Sequence, residues 1–320
     1  MTSRWHGSSV LITGAGGFIG ANLARRLVHL GARVHAVLRP STPLWRLEDV
    51  VSSLVIHRAD MTERVDLERA VRRAEPAVVF HLAAQGASRH GVEAAQLFHT
   101  NVVGTLNLLV ATECQSVARF VQLGGSSEYG PRTSALCETD RLEPVTPYGV
   151  SKAAATLTCQ QYARANGRGI VILRPFSVYG PWEAASRLIP TAMLAALEDR
   201  ELPLTPLGYR RDLVYVDDVV DACLMAAVQD VAPGEILNVG TGRHWTNEEV
   251  ISTIERVCGR PIRVRVGQFQ PRLSDTSHWV ADTSKTERVL GWKATRTLEA
   301  GLAETVAWFV AQRERTYARE

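Results

Sequence analysis

The sequence predicts an α/β fold whose core is a doubly wound parallel sheet with helices on both faces. Short apolar runs, among them residues 10–12 and 78–82, alternate with helical patterns through the first half of the chain. The run at 78–82 is typical of a strand that is buried on both faces. A glycine-rich turn follows the first run and leads directly into a helical pattern at 21–27.

This glycine-rich turn is suited to binding a pyrophosphate. A strand, a tight turn and a helix N-terminus direct backbone N–H groups and the positive end of the helix dipole at one point. Glycines allow positive φ and a close approach of the phosphates. Their spacing departs from the plain G-x-G-x-x-G pattern, which would place a glycine at Ile19. The predicted dinucleotide contacts here are Gly14, Gly16, Gly17, Phe18, Ile19 and Gly20.

The length and charge of the chain indicate how many domains it has and which partners are not expected. Its 320 residues suggest about two domains. We expect residues 1–175, with returns near 210–240, to form a dinucleotide-binding domain and residues 176–320 to form most of a smaller substrate-binding lobe. The 36 basic and 33 acidic residues are mixed along the chain, so the net charge of +3 does not indicate nucleic-acid binding.

The sequence predicts a cytoplasmic protein. Residues 1–9 lack the apolar segment of a signal peptide, and no apolar run is long enough to span a membrane. The five cysteines are odd in number and have no C-x-x-C spacing. Cys114, Cys159 and Cys223 lie in apolar helical patterns, where we expect small buried side chains. Asp217 and Asp218 are interpreted as a helix cap, and no metal is expected.

The end of the second predicted strand indicates which dinucleotide is bound. An NAD enzyme usually places an acidic residue there to hold the ribose 2′-hydroxyl. Here the strand at 33–38 is followed by Arg39, whose guanidinium suits a 2′-phosphate, with Ser41 or Arg46 as possible helpers. The sequence therefore favours NADP over NAD.

Further cofactor contacts are predicted where other strands end. Asp60 and Met61 follow a strand at 54–57, and Asp60 is suited to an adenine edge. After the strand at 78–82, small residues let a cofactor lie close to the backbone, whereas His81 is interpreted as a packed histidine. The remaining predicted contacts are Leu82, Ala83, Ala84 and Pro175.

The candidate catalytic pair is Tyr148 and Lys152. Four residues apart on a predicted helix running to about residue 165, their side chains lie on one face. A free tyrosine has a pKa of ~10, too high for a base at neutral pH. We expect the lysine ammonium and an oxidised nicotinamide to lower that pKa and favour the phenolate. The same lysine can bond the nicotinamide ribose.

Ser126 and Ser127 are the candidate hydroxyls for holding the substrate oxygen beside the tyrosine. They follow the strand at 120–123, at the carboxyl end where ligands gather in open α/β sheets. Ser126 is the first choice and Ser127 the second. Either hydroxyl could instead bond the loop backbone.

Several motifs together resemble one family. They are TGAGGFIG at 13–20, HLAA at 81–84, Tyr148-x-x-x-Lys152, RDLVYVDD at 211–218 and NVGTG at 238–242. The chain is similar in these motifs to the extended short-chain dehydrogenases/reductases, within them to the nucleotide-sugar epimerase, dehydratase and reductase group. The resemblance runs from residue 10 to about residue 302 and implies a Rossmann-type sheet.

The resemblance implies oxidation or reduction at C4 of the hexose of a nucleotide-diphosphate sugar. It makes Tyr148 the acid/base and Lys152 its partner, with a serine near Ser126 binding the O4 oxygen. Arg211 would hold the diphosphate and Arg272 would lie near the nucleotide. Specificity is expected from loops at 85–89 and 176–187. The further candidate substrate contacts are Gln85, Asn101, Phe176 and Arg187.

One departure from the family pattern bears on the reaction. The family's serine or threonine position is Gly125 here, and the Asp-Glu pair of its 4,6-dehydratases is replaced by Ser126 and Ser127. Dehydration needs an acid and a base, so a dehydratase is disfavoured unless Glu128 alone substitutes. A 4-epimerase and a 4-ketoreductase both remain open, with Arg39 favouring the reductase slightly.

Two further expectations concern assembly and loss of activity. The resemblance implies a homodimer, joined through the helix at 148–165 and the helix near 101–111. A dinucleotide-sensing protein without catalysis is a remote alternative, because such proteins tend to lose the Tyr–Lys pair that this chain retains.

Overall fold

A seven-stranded parallel sheet forms the centre of the protein in a computed structural model that describes residues 2–86, 93–268 and 276–316. The strands of the described part are β1 (Ser9–Thr13), β2 (Arg33–Leu38), β3 (Leu54–Arg58), β4 (Val78–His81), β5 (Arg119–Leu123), β6 (Ile170–Pro175), β7 (Ser177–Tyr179), β8 (Glu201–Pro203), β9 (Arg210–Tyr215), β10 (Glu235–Val239), β11 (His244–Thr246) and β12 (Arg263–Arg265).

The helices alternate with these strands in the first half of the chain. They are α1 (Thr2–Trp5), α2 (Phe18–His29), α3 (Arg64–Ala74), α4 (Ala94–Phe98), α5 (Gly104–Ala111), α6 (Pro147–Asn166), α7 (Leu188–Glu198), α8 (Val216–Val228), α9 (Asn247–Cys258), α10 (Ser284–Leu290) and α11 (Leu298–Thr316). A π-helical stretch, His99–Val103, joins α4 to α5.

The order of the strands in the large sheet creates a switch point. The order is β10-β6-β5-β4-β1-β2-β3, and every pairing is parallel. The chain winds outward from β1 in one direction and from β4 in the other. A crevice therefore opens beyond the carboxyl ends of β1 and β4, where doubly wound sheets bind ligands. The predicted fold class is confirmed.

Helices cover both faces of the large sheet because successive strand residues point to opposite sides. Val10 and Ile12 face α2 and α8, which contribute Leu23 and Val219 to that layer. Leu11 faces the other layer, built from α3, α5 and α6. Strands buried on both faces account for the continuous apolar runs of the sequence.

A second core lies in the C-terminal part of the chain. Helices α7, α9 and α11 pack with two small sheets, ordered β11-β9-β7 and β12-β8. Ile189, Met193, Ile254, Leu302 and Phe309 are buried there. The chain also returns to the first core, since α8 packs on the large sheet and β10 is its edge strand. Strand β9, within the region of expected returns, belongs to the three-stranded sheet.

Two expectations about single residues are wrong. Cys114 lies in an exposed turn after α5, because that helix ends at Ala111. The cap position of α8 is Tyr215, so the aspartates at 217–218 lie inside the helix. The Asp218 carboxylate instead accepts hydrogen bonds from the backbone N–H groups of Thr295 and Arg296, at 3.1 Å each.

The described residues show no sign of a membrane span or a metal cluster. No helix within these ranges is long and apolar enough to cross a membrane. The same residues contain no group of three or more histidine, cysteine, aspartate or glutamate side chains placed to hold a metal. The five cysteines are free thiols.

Candidate active site

The glycine turn between β1 and α2 packs so closely on the neighbouring backbone that two of its positions have no room for a side chain. Gly14 has φ of +73°, and a Cβ there would lie 2.6 Å from the Ala83 amide nitrogen. A Cβ at Gly20 would overlap the Gly14 carbonyl oxygen. Helix α2 begins after Gly17, and its first turn has no acidic residue to occupy the positive end. These residues fit the pyrophosphate of a dinucleotide.

Beside this turn, His81 is a packed histidine, as predicted. Its Nδ1 lies 2.6 Å from Thr13 Oγ1, and its Nε2 lies 2.9 Å from Thr105 Oγ1. The Thr105 hydroxyl donates to the Asn101 carbonyl, so the imidazole donates from Nε2 and accepts at Nδ1. Burial lowers the pKa of His81 to about 3. The ring is therefore neutral and joins β1, β4 and α5.

Arg39 lies at the edge where the adenosine ribose of a dinucleotide would be expected. It is exposed, and its Nη1 donates to Gln85 Oε1 at 3.4 Å. The loop that follows it packs on the glycine turn, since a Cβ at Gly16 would lie 2.6 Å from Thr42 Cγ2. The backbone that carries Arg39 therefore leads directly into a loop that lies against the glycine turn.

The other predicted cofactor residues differ in accessibility. The Asp60 carboxylate is half-buried and accepts hydrogen bonds from the Thr62 backbone and hydroxyl, at 2.9 and 2.8 Å. Met61 is buried against Gly104. Ala84 is exposed at the edge of the crevice. Leu82 and Ala83 are half-buried, and Pro175 is buried at the end of β6.

Tyr148 and Lys152 lie in the first two turns of α6. Thr146 caps this helix by accepting a hydrogen bond from the Gly149 amide at 3.0 Å, and Pro147 occupies the first turn. Lys152 is buried, and its Nζ donates to the Leu123 carbonyl at 2.6 Å, at the carboxyl end of β5. The ammonium is therefore fixed beside the crevice.

The surroundings of Tyr148 within the folded chain raise its pKa, and the expected lowering by Lys152 with an oxidised nicotinamide stays a prediction. Burial raises the pKa of Tyr148, and the Glu128 carboxylate raises it further while Arg187 opposes the shift. Burial also lowers the pKa of Lys152, against the effect of Glu128. The phenol is protonated at neutral pH, because desolvation of the phenolate outweighs nearby positive charge.

The two candidate serines lie in the 3₁₀ turn that follows β5. Ser126 is buried, and its Oγ accepts a hydrogen bond from the Trp279 indole Nε1 at 3.1 Å. Ser127 is half-buried, and a Cβ at Gly149 would lie 2.5 Å from its carbonyl oxygen. The serine turn therefore packs directly on the first turn of α6, beside Tyr148.

Glu128 is a residue whose role the sequence did not reveal. Its side chain is fully buried, and Oε2 lies 2.8 Å from Arg174 Nε. Oε1 accepts hydrogen bonds from the Gly125 amide at 2.8 Å and from Thr156 Oγ1 at 3.1 Å. Burial raises the pKa of this carboxyl, against Arg174 and Lys152. The sequence signal that could have indicated this role is a carboxylate within the glycine- and serine-rich turn.

The predicted substrate residues occupy several positions around the crevice. Asn101 is buried and bonds the Gln85 backbone and, at 2.9 Å, the Ser151 hydroxyl. Phe176 is buried in an apolar cluster with Trp279. Arg187 is exposed and pairs with Glu183 at 3.7 Å. The guanidinium carbon of Arg211 lies 5.6 Å from the Trp279 ring centre. Arg272 lies outside the described residues.

A Tyr–Lys helix facing a glycine turn across the switch point of a Rossmann-type sheet defines a class of dinucleotide-dependent oxidoreductases. Within that class, residues 10–240 match the NAD dependent epimerase/dehydratase family, and the chain belongs to that family. The resemblance stated from the motifs is thereby confirmed.

Comparisons with individual proteins agree with the family. A UDP-glucose 4-epimerase of Mycolicibacterium smegmatis is 30% identical, over 93% of this chain and 97% of the relative. A dTDP-glucose 4,6-dehydratase of Neisseria meningitidis serogroup B is 28% identical, over 94% and 93%. The solved UDP-glucose 4-epimerase of Thermotoga maritima, with UDP-glucose, is 28% identical, covers 95% of this chain and 99% of its own, and has a TM-score of 0.87.

Proposed function

We propose that the protein catalyses NAD(P)-dependent oxidoreduction at C4 of a nucleotide-activated hexose, as a 4-epimerase or a 4-ketoreductase. The observation that carries this proposal is the position of Lys152. Its buried Nζ is fixed on the Leu123 carbonyl at the carboxyl end of β5, with Tyr148 one helical turn away and the glycine turn across the crevice. Relatives that act on nucleotide sugars at C4 support the substrate class.

In this mechanism Tyr148 moves the proton of the reacting oxygen. Its protonated phenol donates to a C4 keto oxygen during reduction, and its phenolate accepts the hydroxyl proton during oxidation. Lys152 holds a positive charge beside that proton, and Ser126 donates a hydrogen bond to the same oxygen. When bound, the nicotinamide supplies or accepts the hydride at C4.

We also propose a preference for NADP. Arg39 stands at the end of β2, where a carboxylate would repel a 2′-phosphate and a guanidinium attracts it. The loop that follows Arg39 packs on Gly16 through Thr42, which supports a position of Arg39 near the dinucleotide site. The family description names NAD, and so the two cofactors are compared directly in the experiment below.

A 4,6-dehydratase is the second candidate, because dTDP-glucose 4,6-dehydratases are among the relatives. The geometry favours it less. Ser126 and Ser127 stand where those enzymes carry an acid and a base by family pattern. Glu128, the nearest carboxylate in sequence, is buried and bonded to Arg174, Gly125 and Thr156, so it is not free to remove a proton at C5.

For the assembly and the compartment we propose a cytoplasmic homodimer. Apolar side chains on the outer faces of α4, the π-helical stretch, α5 and α6 are between 36% and 55% exposed, and a second copy would cover them in a helical bundle. These side chains are Phe98, Val103, Leu106, Val150 and Leu157. The five free thiols suit a reducing compartment.

The first experiment identifies the dinucleotide that leaves the purified protein on denaturation and tests turnover. Stoichiometric bound cofactor, conversion of a UDP-hexose and no net nicotinamide absorbance change would support the epimerase. Protein without cofactor that oxidises NADPH only with a 4-keto nucleotide sugar would support the reductase. Tyr148→Phe is expected to lower kcat by about 100-fold or more in either case. Turnover of no nucleotide sugar would contradict the proposal.

A further inference from the structure

Trp279 connects the C-terminal part of the chain to the serine turn. Its indole Nε1 donates to Ser126 Oγ at 3.1 Å, across 153 positions of sequence. Trp279 is 6% exposed, so this hydrogen bond is shielded from solvent. Because the bond is shielded, moving either partner away would leave a buried polar group without a hydrogen bond.

The segment that carries Trp279 is itself fixed. Leu136 forms a parallel bridge with Ala281, and the Ala281 amide donates to the buried Asp212 carboxylate at 3.1 Å. The indole ring packs with Tyr129 and Phe176 in one buried apolar cluster. The ring therefore cannot rotate away from Ser126 without displacing several buried neighbours.

A positive charge lies over the face of the same ring. The Arg211 guanidinium carbon lies 5.6 Å from the ring centre, within the range of a cation–π contact. Ser126 and Arg211 thus flank the same indole. Under the proposed function these two residues contact two parts of one substrate, the reacting oxygen of the hexose and the diphosphate to which the hexose is attached.

The chemistry of the two groups sets the direction of the serine hydroxyl. An indole N–H only donates, whereas a serine hydroxyl has one proton to donate and lone pairs that accept. Because Trp279 supplies a donor to Ser126 Oγ, the Ser126 proton remains available for another acceptor. A carbonyl or alkoxide oxygen at the reacting carbon is such an acceptor.

We propose that Trp279 is a positioning residue that orients the Ser126 hydroxyl as a hydrogen-bond donor toward the reacting oxygen of the substrate. The proposal rests on the proposed function for the identity of that oxygen. It assigns Trp279 no contact with the reacting atoms. Its effect on the reaction passes through Ser126, so replacing Trp279 should matter only when Ser126 is present.

The kinetic test uses Trp279→Phe, which keeps an aromatic ring and removes the N–H, together with Ser126→Ala and the double variant. We expect Trp279→Phe to lower kcat by about 10-fold with little change in KM, and Ser126→Ala to lower it by about 100-fold. The double variant is expected to match Ser126→Ala alone, because Trp279 acts only through that hydroxyl. Independent, multiplicative losses or an unaffected Trp279→Phe would overturn the proposal.

The control is Trp292→Phe. Trp292 is also buried, and its Nε1 donates to the Asp218 carbonyl at 2.9 Å, outside the crevice. This variant loses a comparable hydrogen bond, so its stability should fall about as much as that of Trp279→Phe. A wild-type kcat in Trp292→Phe would then show that the loss of activity in Trp279→Phe does not come from general destabilisation.

A second readout does not need turnover. The indole N–H resonances of the seven tryptophans are observed by NMR, and Trp279→Phe identifies the one that belongs to residue 279. Ser126→Ala is expected to shift that resonance, and UDP-glucose with NADP is expected to shift it in the wild-type protein. If the protein turns over no nucleotide sugar, the proposed function fails while these shifts still support the Trp279–Ser126 coupling. A resonance that neither change moves would overturn it.

Discussion

The Glu128 carboxylate and the Arg174 guanidinium form an ion pair of 2.8 Å in which the side chains are 0% and 1% exposed. The pair lies beneath the serine turn and ties it to β6. Through Thr156, one turn beyond Lys152, the same carboxylate also bonds helix α6. The oxygen that bonds Thr156 also accepts a hydrogen bond from the Gly125 amide, so one buried carboxylate joins three parts of the candidate site.

We expect Glu128→Gln to lower the free energy of unfolding by about 3–5 kcal/mol, because it leaves the Arg174 charge buried without its counterion. Urea denaturation measures this loss. The control is Glu143→Gln, which removes a 2.6 Å pair with Arg132 that is partly exposed. For that variant the expected loss is about 0–1 kcal/mol. Equal losses in the two variants would contradict a special role for the buried pair.

The same substitution is expected to change the pH dependence of the reaction. The Glu128 charge raises the pKa of Tyr148, beyond the effect of burial, while Arg187 lowers it. Removing the charge should therefore move the limb of the kcat/KM profile that reports Tyr148 to lower pH. This direction holds whether the phenol or the phenolate is the active form. Profiles for wild type, Glu128→Gln and Glu143→Gln test it, and a limb that stays in place in all three would refute the coupling.

The sequence predicted those parts of the candidate site that depend on neighbouring residues. The glycine turn from Gly14 to Gly20 follows from local backbone requirements, and Tyr148 and Lys152 share a face because a helix turns every 3.6 residues or so. The order of strand and helix patterns likewise predicted the parallel sheet, since the rules of βα connection leave few alternatives.

Contacts between residues that are far apart in sequence could not be predicted in the same way. Glu128 meets Arg174 across 46 positions and Ser126 meets Trp279 across 153, and no local pattern marks either pair. The burial that raises the pKa of Tyr148 could not be predicted for a related reason. It depends on how much solvent the folded site removes, whereas the sequence shows only the identity of the neighbouring lysine.

Arg39→Asp is expected to change the cofactor preference. Losing the charged hydrogen bonds to a 2′-phosphate should weaken NADP binding by about 10–100-fold, while the new carboxylate can bond the ribose hydroxyls of NAD. Dissociation constants for both dinucleotides measure the switch. The control is Arg33→Asp, at the opposite end of β2, where an exposed arginine is removed far from the glycine turn. An unchanged ratio of NADP to NAD affinity in Arg39→Asp would contradict the assignment.

Leu157→Glu is expected to convert the proposed dimer to a monomer. Leu157 is 55% exposed on α6, and a charge placed in the centre of an apolar interface has to be desolvated when the copies associate. Light scattering after size-exclusion chromatography measures the mass. The control is Val310→Glu, since Val310 is 54% exposed on α11, away from the α4–α6 face. A wild-type monomer, or an unaltered dimer in Leu157→Glu, would be evidence against this interface.

His35 and His57 predict a loss of stability in mild acid. Their rings stack in the sheet between β2 and β3, with Nδ1 of His35 2.9 Å from Nε2 of His57. Burial, His57 and Arg33 lower the pKa of His35 to about 4, and burial and Arg73 lower the pKa of His57. The pair shares one hydrogen bond only while at least one ring is neutral.

The sign of the pH effect follows from these lowered pKa values. The unfolded chain binds protons at the ordinary histidine pKa, ~6.5, before the folded protein does. The stabilisation is therefore complete above that pH and is lost as the pH falls toward the folded-state value of His35, about 4. Each such proton contributes a slope of up to ~1.4 kcal/mol per pH unit. Urea denaturation between about pH 7.5 and about pH 5 measures it.

The matched variants are His35→Gln and His29→Gln. The amide introduced by His35→Gln can still bond His57 but does not titrate, so the slope of unfolding free energy against pH should fall below that of wild type. The surface control is His29, which is exposed on α2 with a ring nitrogen bonded to the Arg25 carbonyl, and His29→Gln is expected to keep the wild-type slope. If wild type and His35→Gln lose stability in parallel, the acid sensitivity comes from other groups and the histidine pair is not its source.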